Sequence, residues 1–436
     1  MIKRDHFLQL LINSKNNGFP KVITGIRRCG KSFLLKEIFV QWLHNTGITD
    51  ENILIIELDD DRNIPYRNPI ELGKFVRSFC AGKDNCYVFL DEIQMVDTIL
   101  NPVYTDGKYI IAGPNDENVV TFIDVTLGLS REKNIDLYVT GSNSKMLSSD
   151  IVTEFRDKAT NVHVTPLSFE EYYNFVGGSK TEAIYEYMQF GGMPLAVLSK
   201  SREEKQTYLK NLFQTTYFRD IIDHNRLSKT EALDELCDIL STCTGELINA
   251  EKLANTYQSR RHESINKQTV SKYIQFFVDA FILNEAKRYD IKGKQEIGAL
   301  RKYYFSDPGL RNARLNFVYP DEGQMIEIIV YNELLYNGYA VNVGTYEKVE
   351  KDKTGKSIKK SYEIDFFAVK NQRMYYIQAA SDISDSITKQ REQKPYIALN
   401  DQIQKIIVIN KPVIETRDEK GFTVIGLADF LLHFIK

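Results

Sequence analysis

A chain of 436 residues with 43% hydrophobic and 26% charged side chains has a globular, soluble composition and room for about three domains at roughly 150 residues each. A net charge of −3 supplies no global basic field, so any nucleic-acid surface has to be local. Five scattered cysteines with no CxxC pair argue against a disulfide framework or a structural zinc site and fit a reducing, cytoplasmic setting. No apolar run approaches the ~18 residues that would cross a membrane.

The opening stretch, MIKRDHFLQLLINSKN, reads as a short amphipathic helix, because charge interrupts its apolar run too early for a signal peptide. Lys21 to Ser32, KVITGIRRCGKS, places a β-branched strand, a glycine-bracketed turn and a helix start in succession. This is the phosphate-loop pattern GxxxxGK(S/T) in its required strand–helix context. Glycines let backbone N–H groups turn inward around phosphates, and the helix N-terminus adds partial positive charge. Gly25, Ile26, Arg27, Arg28, Cys29, Gly30, Lys31, Ser32 and Phe33 are therefore the expected triphosphate-binding residues. Lys31 would reach the β and γ phosphates, and the Ser32 hydroxyl would ligate Mg²⁺.

Asn52 to Asp60 reads as a second strand and Ile70 to Cys80 as a helix. Cys86 to Leu90 is a third strand that runs into Asp91 and Glu92. Asp91 would hold Mg²⁺ through water, and Glu92 would polarise the attacking water. Asn101 to Asn118 reads as an inserted loop or hairpin, and Val119 to Leu129 as a helix. A fourth strand, Asp136 to Thr140, ends in Gly141-Ser142-Asn143-Ser144, where Asn143, with Ser142 second, is the candidate polar group for γ-phosphate and water. Asn161 to Val164 gives a fifth strand. Strand and helix alternating five times imply a parallel sheet with helices on both faces, and the candidate site residues all fall at strand carboxyl ends.

GIRRCGKS, FLDEIQ, VTGSNSKMLSSD and PLSFEEYY, then FGGMP, KYYFSDPGLRNA, EIDFFAV and YIQAA, resemble the bacterial and archaeal ATPases of the AAA+ superfamily that carry a C-terminal DUF4143 domain. The resemblance runs over nearly the whole chain. It implies ATP as the nucleotide, Asp91 and Glu92 as the Walker B pair, Asn143 as sensor, and assembly into a homo-oligomer in which a neighbour completes the site. The usual LRGR-like turn reads Phe155-Arg156-Asp157-Lys158 here. Lysine lacks the bidentate fork of arginine, so Arg156 is the better γ-phosphate contact in trans.

Four regions follow: a P-loop ATPase core over 1–172, a helical lid over 173–230, a winged helix-turn-helix over 231–318 and a C-terminal α/β domain over 319–436. The winged-helix reading rests on three helical stretches followed by strands at Phe281 to Arg288 and Arg301 to Phe305 around the turn IKGKQEIGALRK. Lys267, Lys272, Arg260, Arg261, Lys287, Arg288, Lys292 and Lys294 would suit contacts to duplex DNA; winged helices also dock protein partners. The last domain resembles the restriction-endonuclease-like PD-(D/E)xK fold, by which Glu327, Asp365 and Gln378 would face one another. Gln378 stands where a second acid is usual and Ala380 where a lysine is usual, so the nuclease reads as degenerate. The leading expectation is a Mg²⁺-dependent ATPase that rearranges a DNA- or protein-binding C-terminal half. The alternatives are a nucleotide-gated switch with little turnover and a metal-dependent nuclease.

Overall fold

Five short strands pair in parallel in the first of the two units into which the chain divides, Met1–Thr165 and Pro166–Lys436. The computed structural model describes all residues except 114, 142–154, 156–157, 226, 228–229, 319–320, 352–355 and 400. The strands of the first unit are β1 (Lys21–Thr24), β2 (Ile53–Glu57), β3 (Cys86–Asp91), β4 (Ile135–Thr140) and β5 (Thr160–His163). Their order across the sheet is β2-β3-β4-β1-β5.

Alternation along each strand sends successive side chains to opposite faces. Val88, Leu90, Leu137 and Val139 pack against Leu72, Val76 and Cys80 of the helix Pro69–Cys80 and against Ile123 and Leu129 of the helix Phe122–Leu129. On the other face Phe89 and Tyr138 meet Phe39, which belongs to the helix running through residues 31–45, with ring centroids 6.1 and 5.1 Å apart. Helices thus cover both faces, as the alternation of elements predicts. The loop after β1 and the tips of β3 and β4 open on one edge of the sheet.

The helix expected over Val119 to Leu129 begins only at Phe122. Val119 and Val120 pair instead with Leu100 and Ile99, and Thr121 and Asp124 form a reciprocal capping box that starts the helix after them.

The second unit opens with helices, among them Phe169–Val176, which falls here although the sequence reading ended the core at residue 172. Two motifs noted in the sequence dock on each other. Asp307 accepts from the Gly192 N–H at 2.6 Å and the Leu310 N–H at 3.1 Å, while Asn312 Nδ2 donates to the carbonyls of Met188 and Gln189. A Cβ at Gly192 would lie 2.2 Å from the Leu167 carbonyl oxygen, so only glycine fits there. FGGMP and SDPGLRNA are therefore halves of one packing joint.

The unit's sheet holds β6 (Leu283–Asp290), β7 (Gln295–Phe305), β8 (Ala340–Lys351), β9 (Ser357–Lys370), β10 (Arg373–Ala380), β11 (Gln404–Ile409), β12 (Thr416–Arg417) and β13 (Thr423–Gly426). The order is β12-β13-β11-β10-β9-β8-β6-β7. This changes the picture of the wing. The long turn expected over 291–302 is mostly strand, because Gln295 and Glu296 stay in register with Asp290 and Tyr289. The hairpin is also the margin of the larger sheet, since β6 pairs in parallel with β8 through Val343, Gly344 and Thr345. Strands from both sides of the boundary drawn at 318/319 share one sheet.

Two acids sealed inside this unit carry a pH dependence. Burial pushes Asp307 up to about 7, against the N–H bonds it accepts, and pushes Glu333 up to about 8, against the bond it accepts from the Phe169 N–H. Their folded values exceed the unfolded ones, so the native state retains protons that the unfolded chain releases. Stability should fall as pH rises from about 4 through about 8, by about 1.4 kcal/mol per pH unit for each group protonated only in the fold. Urea midpoints should be higher at pH 6 than at pH 8.5, and Glu333→Gln should flatten the profile; an unchanged slope in that variant would contradict the assignment.

Candidate nucleotide site

Gly25 leaves β1 at φ +139°, and a Cβ there would sit 2.0 Å from the Val164 carbonyl oxygen. The chain can therefore turn under the end of β5 only with glycine at this point. Gly30, at φ +101°, caps the helix that starts at Lys31. Lys31 is buried and donates from Nζ to the carbonyls of Gly25 at 2.9 Å and Ile26 at 3.2 Å. Cys29 is also buried, its thiol turned onto the Val164 carbonyl at 3.2 Å, which accords with a packing role. Arg4 braces the loop from outside its sequence, donating to the carbonyls of Cys29 at 3.3 Å and Thr165 at 2.7 Å. Ile26 is buried, Arg28 is exposed at φ +68°, and the Phe33 ring is exposed beside Ser32.

The acidic strand tip meets this loop directly. Ser32 Oγ donates to Asp91 Oδ1 at 3.0 Å, across 59 residues of sequence. Thr140, the last residue of β4, donates its hydroxyl to the same oxygen, and Lys36 Nζ pairs with Asp91 Oδ2 at 3.0 Å. Burial alone would raise the Asp91 pKa; the bonds from Thr140, Lys36 and Ser32 outweigh it and hold the carboxyl below its ordinary range. Lys36 also pairs with Glu57, which stands opposite Asp91 in the β2–β3 register.

Glu92 occupies the left-handed region at φ +54°, with its N–H donated to Thr140 Oγ1 at 3.3 Å. Gln94 Nε2 donates to its carboxylate, while Gln94 Oε1 is buried with no hydrogen-bond partner among the described residues. Asn143, Ser142 and Arg156 lie outside the described residues. Lys158 lines a cleft of about 730 Å³ with Asn17, Lys133 and Ile135, at the amino ends of β1 and β4.

Sequence reasoning missed Thr140, Lys36, Glu57 and Arg4. Thr140 and Glu57 carried a signal, each being a polar residue that closes an apolar strand. Lys36 and Arg4 carried none, since nothing local marks which partner a surface-type cation will find.

The acids expected in the C-terminal domain also converge, on a cation that the sequence reading did not name. Lys302 of β7 is 2% exposed and its Nζ lies 2.9 Å from Glu363, 3.3 Å from Glu327 and 3.4 Å from Asp365. Tyr304 OH donates to Glu327 at 2.9 Å. Gln378 Oε1 accepts from the Asp365 N–H at 2.8 Å, and its Nε2 donates to the buried Glu392 at 2.9 Å. Burial pushes Glu327 up to about 7 against the pull of Lys302. Burial alone would lower the Lys302 pKa; the surrounding carboxylates, Glu327 foremost, reverse this and hold the ammonium protonated well above its ordinary value.

Several cations proposed for a DNA face are already paired. Arg260 and Arg261 pair with Glu235, Lys267 with Glu251 and Lys287 with Glu296. Lys292 donates to the Glu347 carbonyl at 2.9 Å.

Residues 17–173 match a family model described as an AAA domain, and residues 181–321 match a domain of unknown function, DUF8612. An uncharacterized protein of Haemophilus influenzae is 30% identical over 439 residues, covering 99% of this chain and 99% of its own. The chain belongs to that protein's family. Another uncharacterized relative, from Methanocaldococcus jannaschii, is 26% identical over 442 residues, 98% of this chain and 88% of that one. Among solved structures, the ORC2 protein of Aeropyrum pernix in ADPNP–ADP complexes overlaps at a TM-score of 0.38 and 10% identity, over 75% of this chain and 92% of that one. The AAA match falls on the unit with the five-stranded parallel sheet and the phosphate loop. The DUF8612 match falls within the second unit over 181–321, and no match shows the DUF4143 domain expected over 319–436. No described helix is long and apolar enough to cross a membrane.

Proposed function

We propose that this protein is an ATPase that binds ATP in the loop Gly25–Ser32 and hydrolyses it at the tips of β3 and β4. The observation that carries the reading is the 3.0 Å bond from Ser32 to Asp91, which unites the loop with the acidic strand tip. The hydroxyl and the carboxylate are also hard oxygen donors of the kind Mg²⁺ takes, Ser32 as a direct ligand and Asp91 through water. Ser32 and Asp91 would hold that ion, which supplies charge neutralisation at the β and γ phosphates.

The chain's own residues divide the remaining work. Lys31, now bonded to loop carbonyls, turns its ammonium to the phosphates. Lys36 and Thr140 keep Asp91 ionised and aimed. Glu92 takes the proton from the attacking water as the water's oxygen bonds to the γ-phosphorus and the β–γ bridging oxygen leaves with the electron pair. Asn143 serves as the polar group beside the γ-phosphate, and Arg156 as the contact offered to a neighbouring subunit. The energy released drives a rearrangement of the second unit, in which 173–230 acts as lid and 231–318 as a winged-helix-type module contacting DNA or protein.

A switch with little turnover is the second reading. The bond from Gln94 to the Glu92 carboxylate favours it, because a carboxylate held by an amide is not yet poised as a base. The nuclease reading is weaker. Lys302 puts an ammonium among the carboxylates that would have to hold a metal, so the 319–436 domain is proposed to keep the endonuclease-like layout without the cutting.

Lys31→Ala tests the binding site. Removing a charge-assisted bond of about 1.5–3 kcal/mol should weaken Mg-ATP binding by about 10- to 100-fold in calorimetry. Equal heats for variant and wild type would end the proposal.

A further inference from the structure

The hairpin of β8 and β9 outruns its sheet. β8 pairs with β6 only at Val343–Thr345, and β9 pairs with β10 only at Phe366–Lys370. Beyond those points the two strands pair with each other alone, out to Lys351 opposite Ser357. This leaves a two-stranded ribbon about 17 Å long from Tyr346 to Lys351, at ~3.4 Å per residue.

One face of the ribbon concentrates positive charge. Lys348 stands directly opposite Lys360, and Lys394, on the helix Ser386–Ile397, interacts with Lys360 as well. Like charges directly opposed across an antiparallel pair destabilise it. Glu350 lies 3.9 Å from Lys360 but also accepts a bond from Tyr362, so it offsets the cluster only in part. The base of the ribbon is rigid. Tyr346 and Tyr362 stack at 5.2 Å, and Tyr346 OH is bonded to the Pro395 carbonyl at 2.5 Å, next to Lys394.

We propose that this ribbon binds the phosphate backbone of duplex DNA through Lys348, Lys360 and Lys394. A two-stranded ribbon fits the major groove, and a cationic face held on a stiff base needs little ordering to engage phosphates. Duplex is favoured over single strand because Tyr346 and Tyr362 are both buried, so among its described residues the ribbon offers no exposed ring for an unpaired base to stack on. Lys267 on its helix and Lys287 on β6, also expected to contact DNA, pair with Glu251 and Glu296 at 2.7 and 3.0 Å, closer than the 3.9 Å between Lys360 and Glu350. The inference deepens the reading of a nucleotide-driven machine with a DNA-binding C-terminal half, and rests on it for biological purpose.

The test is fluorescence anisotropy of a labelled short duplex with the full-length protein, as a function of salt and without nucleotide. Lys348→Gln/Lys360→Gln/Lys394→Gln should weaken binding at least tenfold and flatten the log K against log salt slope by about 2.7, at about 0.9 per lost phosphate contact. Its circular dichroism melt should not fall below that of the wild type, since like-charge repulsion is relieved. Should the triple variant melt early, single Lys348→Gln and Lys394→Gln variants, each flattening the slope by about 0.9, carry the test. The proposal is overturned if the wild type does not bind duplex at low salt or prefers single strand. It is overturned equally if the triple variant binds as the wild type does, and loss of binding in Lys267→Gln/Lys272→Gln would then place the contact on the helical module. ATP turnover of the same preparations without DNA is read in parallel. A failed ribbon leaves turnover untouched, and a failed ATPase reading leaves the binding curves untouched.

Discussion

Glu92→Gln is expected to bind Mg-ATP with wild-type affinity and to release phosphate about 10²- to 10⁴-fold more slowly, the range for loss of a general base. The substitution keeps the shape of the side chain and leaves Ser32, Lys36 and Thr140 on Asp91 undisturbed. Binding and chemistry should therefore separate cleanly, with an unchanged dissociation constant and a collapsed turnover. Gln94→Ala is the informative companion. If the Gln94 amide restrains the Glu92 carboxylate, its removal should raise basal turnover; if Gln94 only positions Glu92, turnover should fall. A Glu92→Gln protein that turns over like the wild type would remove Glu92 from the mechanism.

Lys302→Met should be the most damaging single change to stability. Lys302 is buried against Glu327 and Asp365, themselves largely shielded, with the more accessible Glu363 beside them. Deleting one partner of such a network strands the remaining charges, at a cost of about 3–5 kcal/mol. Methionine matches the length of the stem, so packing is largely preserved and the loss is electrostatic. The sign of the pH response follows. Without the ammonium, the folded pKa values of Glu327 and Asp365 rise further above their unfolded values, and the native state takes up protons. The deficit should be greatest near pH 8 and shrink as pH falls toward 5. Lys302→Met/Glu327→Gln should recover part of the loss, and a thermal melt that shows no difference between Lys302→Met and wild type would refute the account.

The two halves of the chain differed in how much a reader of the sequence could see. In the first unit the phosphate loop and the Asp91–Glu92 pair were legible because each is a contiguous pattern whose chemistry demands specific residues at adjacent positions. Thr140 was visible only as a polar strand end, and its bond to Asp91 depends on β4 lying next to β3 in the sheet. In the second unit the helices were legible from periodicity. The sheet was not, because β6 and β8 are joined across 49 intervening residues by a parallel pairing that leaves no local trace.

Lys302 makes the same point at a single residue. Its neighbours Tyr303, Tyr304 and Phe305 read as a buried strand, and a lysine at such a spot looks like a strand-end surface charge. The family pattern places a cation beside Asp365 at position 380, which is alanine here, while the folded chain supplies the charge from Lys302 on β7. Local composition and spacing were sufficient for the nucleotide loop, the acidic strand tip and the alternation of elements, since those depend on backbone propensities and short-range chemistry. Which carboxylate meets which cation, and that a wing-like hairpin merges into the C-terminal sheet, follow from long-range strand order, a cooperative outcome of packing that no stretch of residues encodes alone.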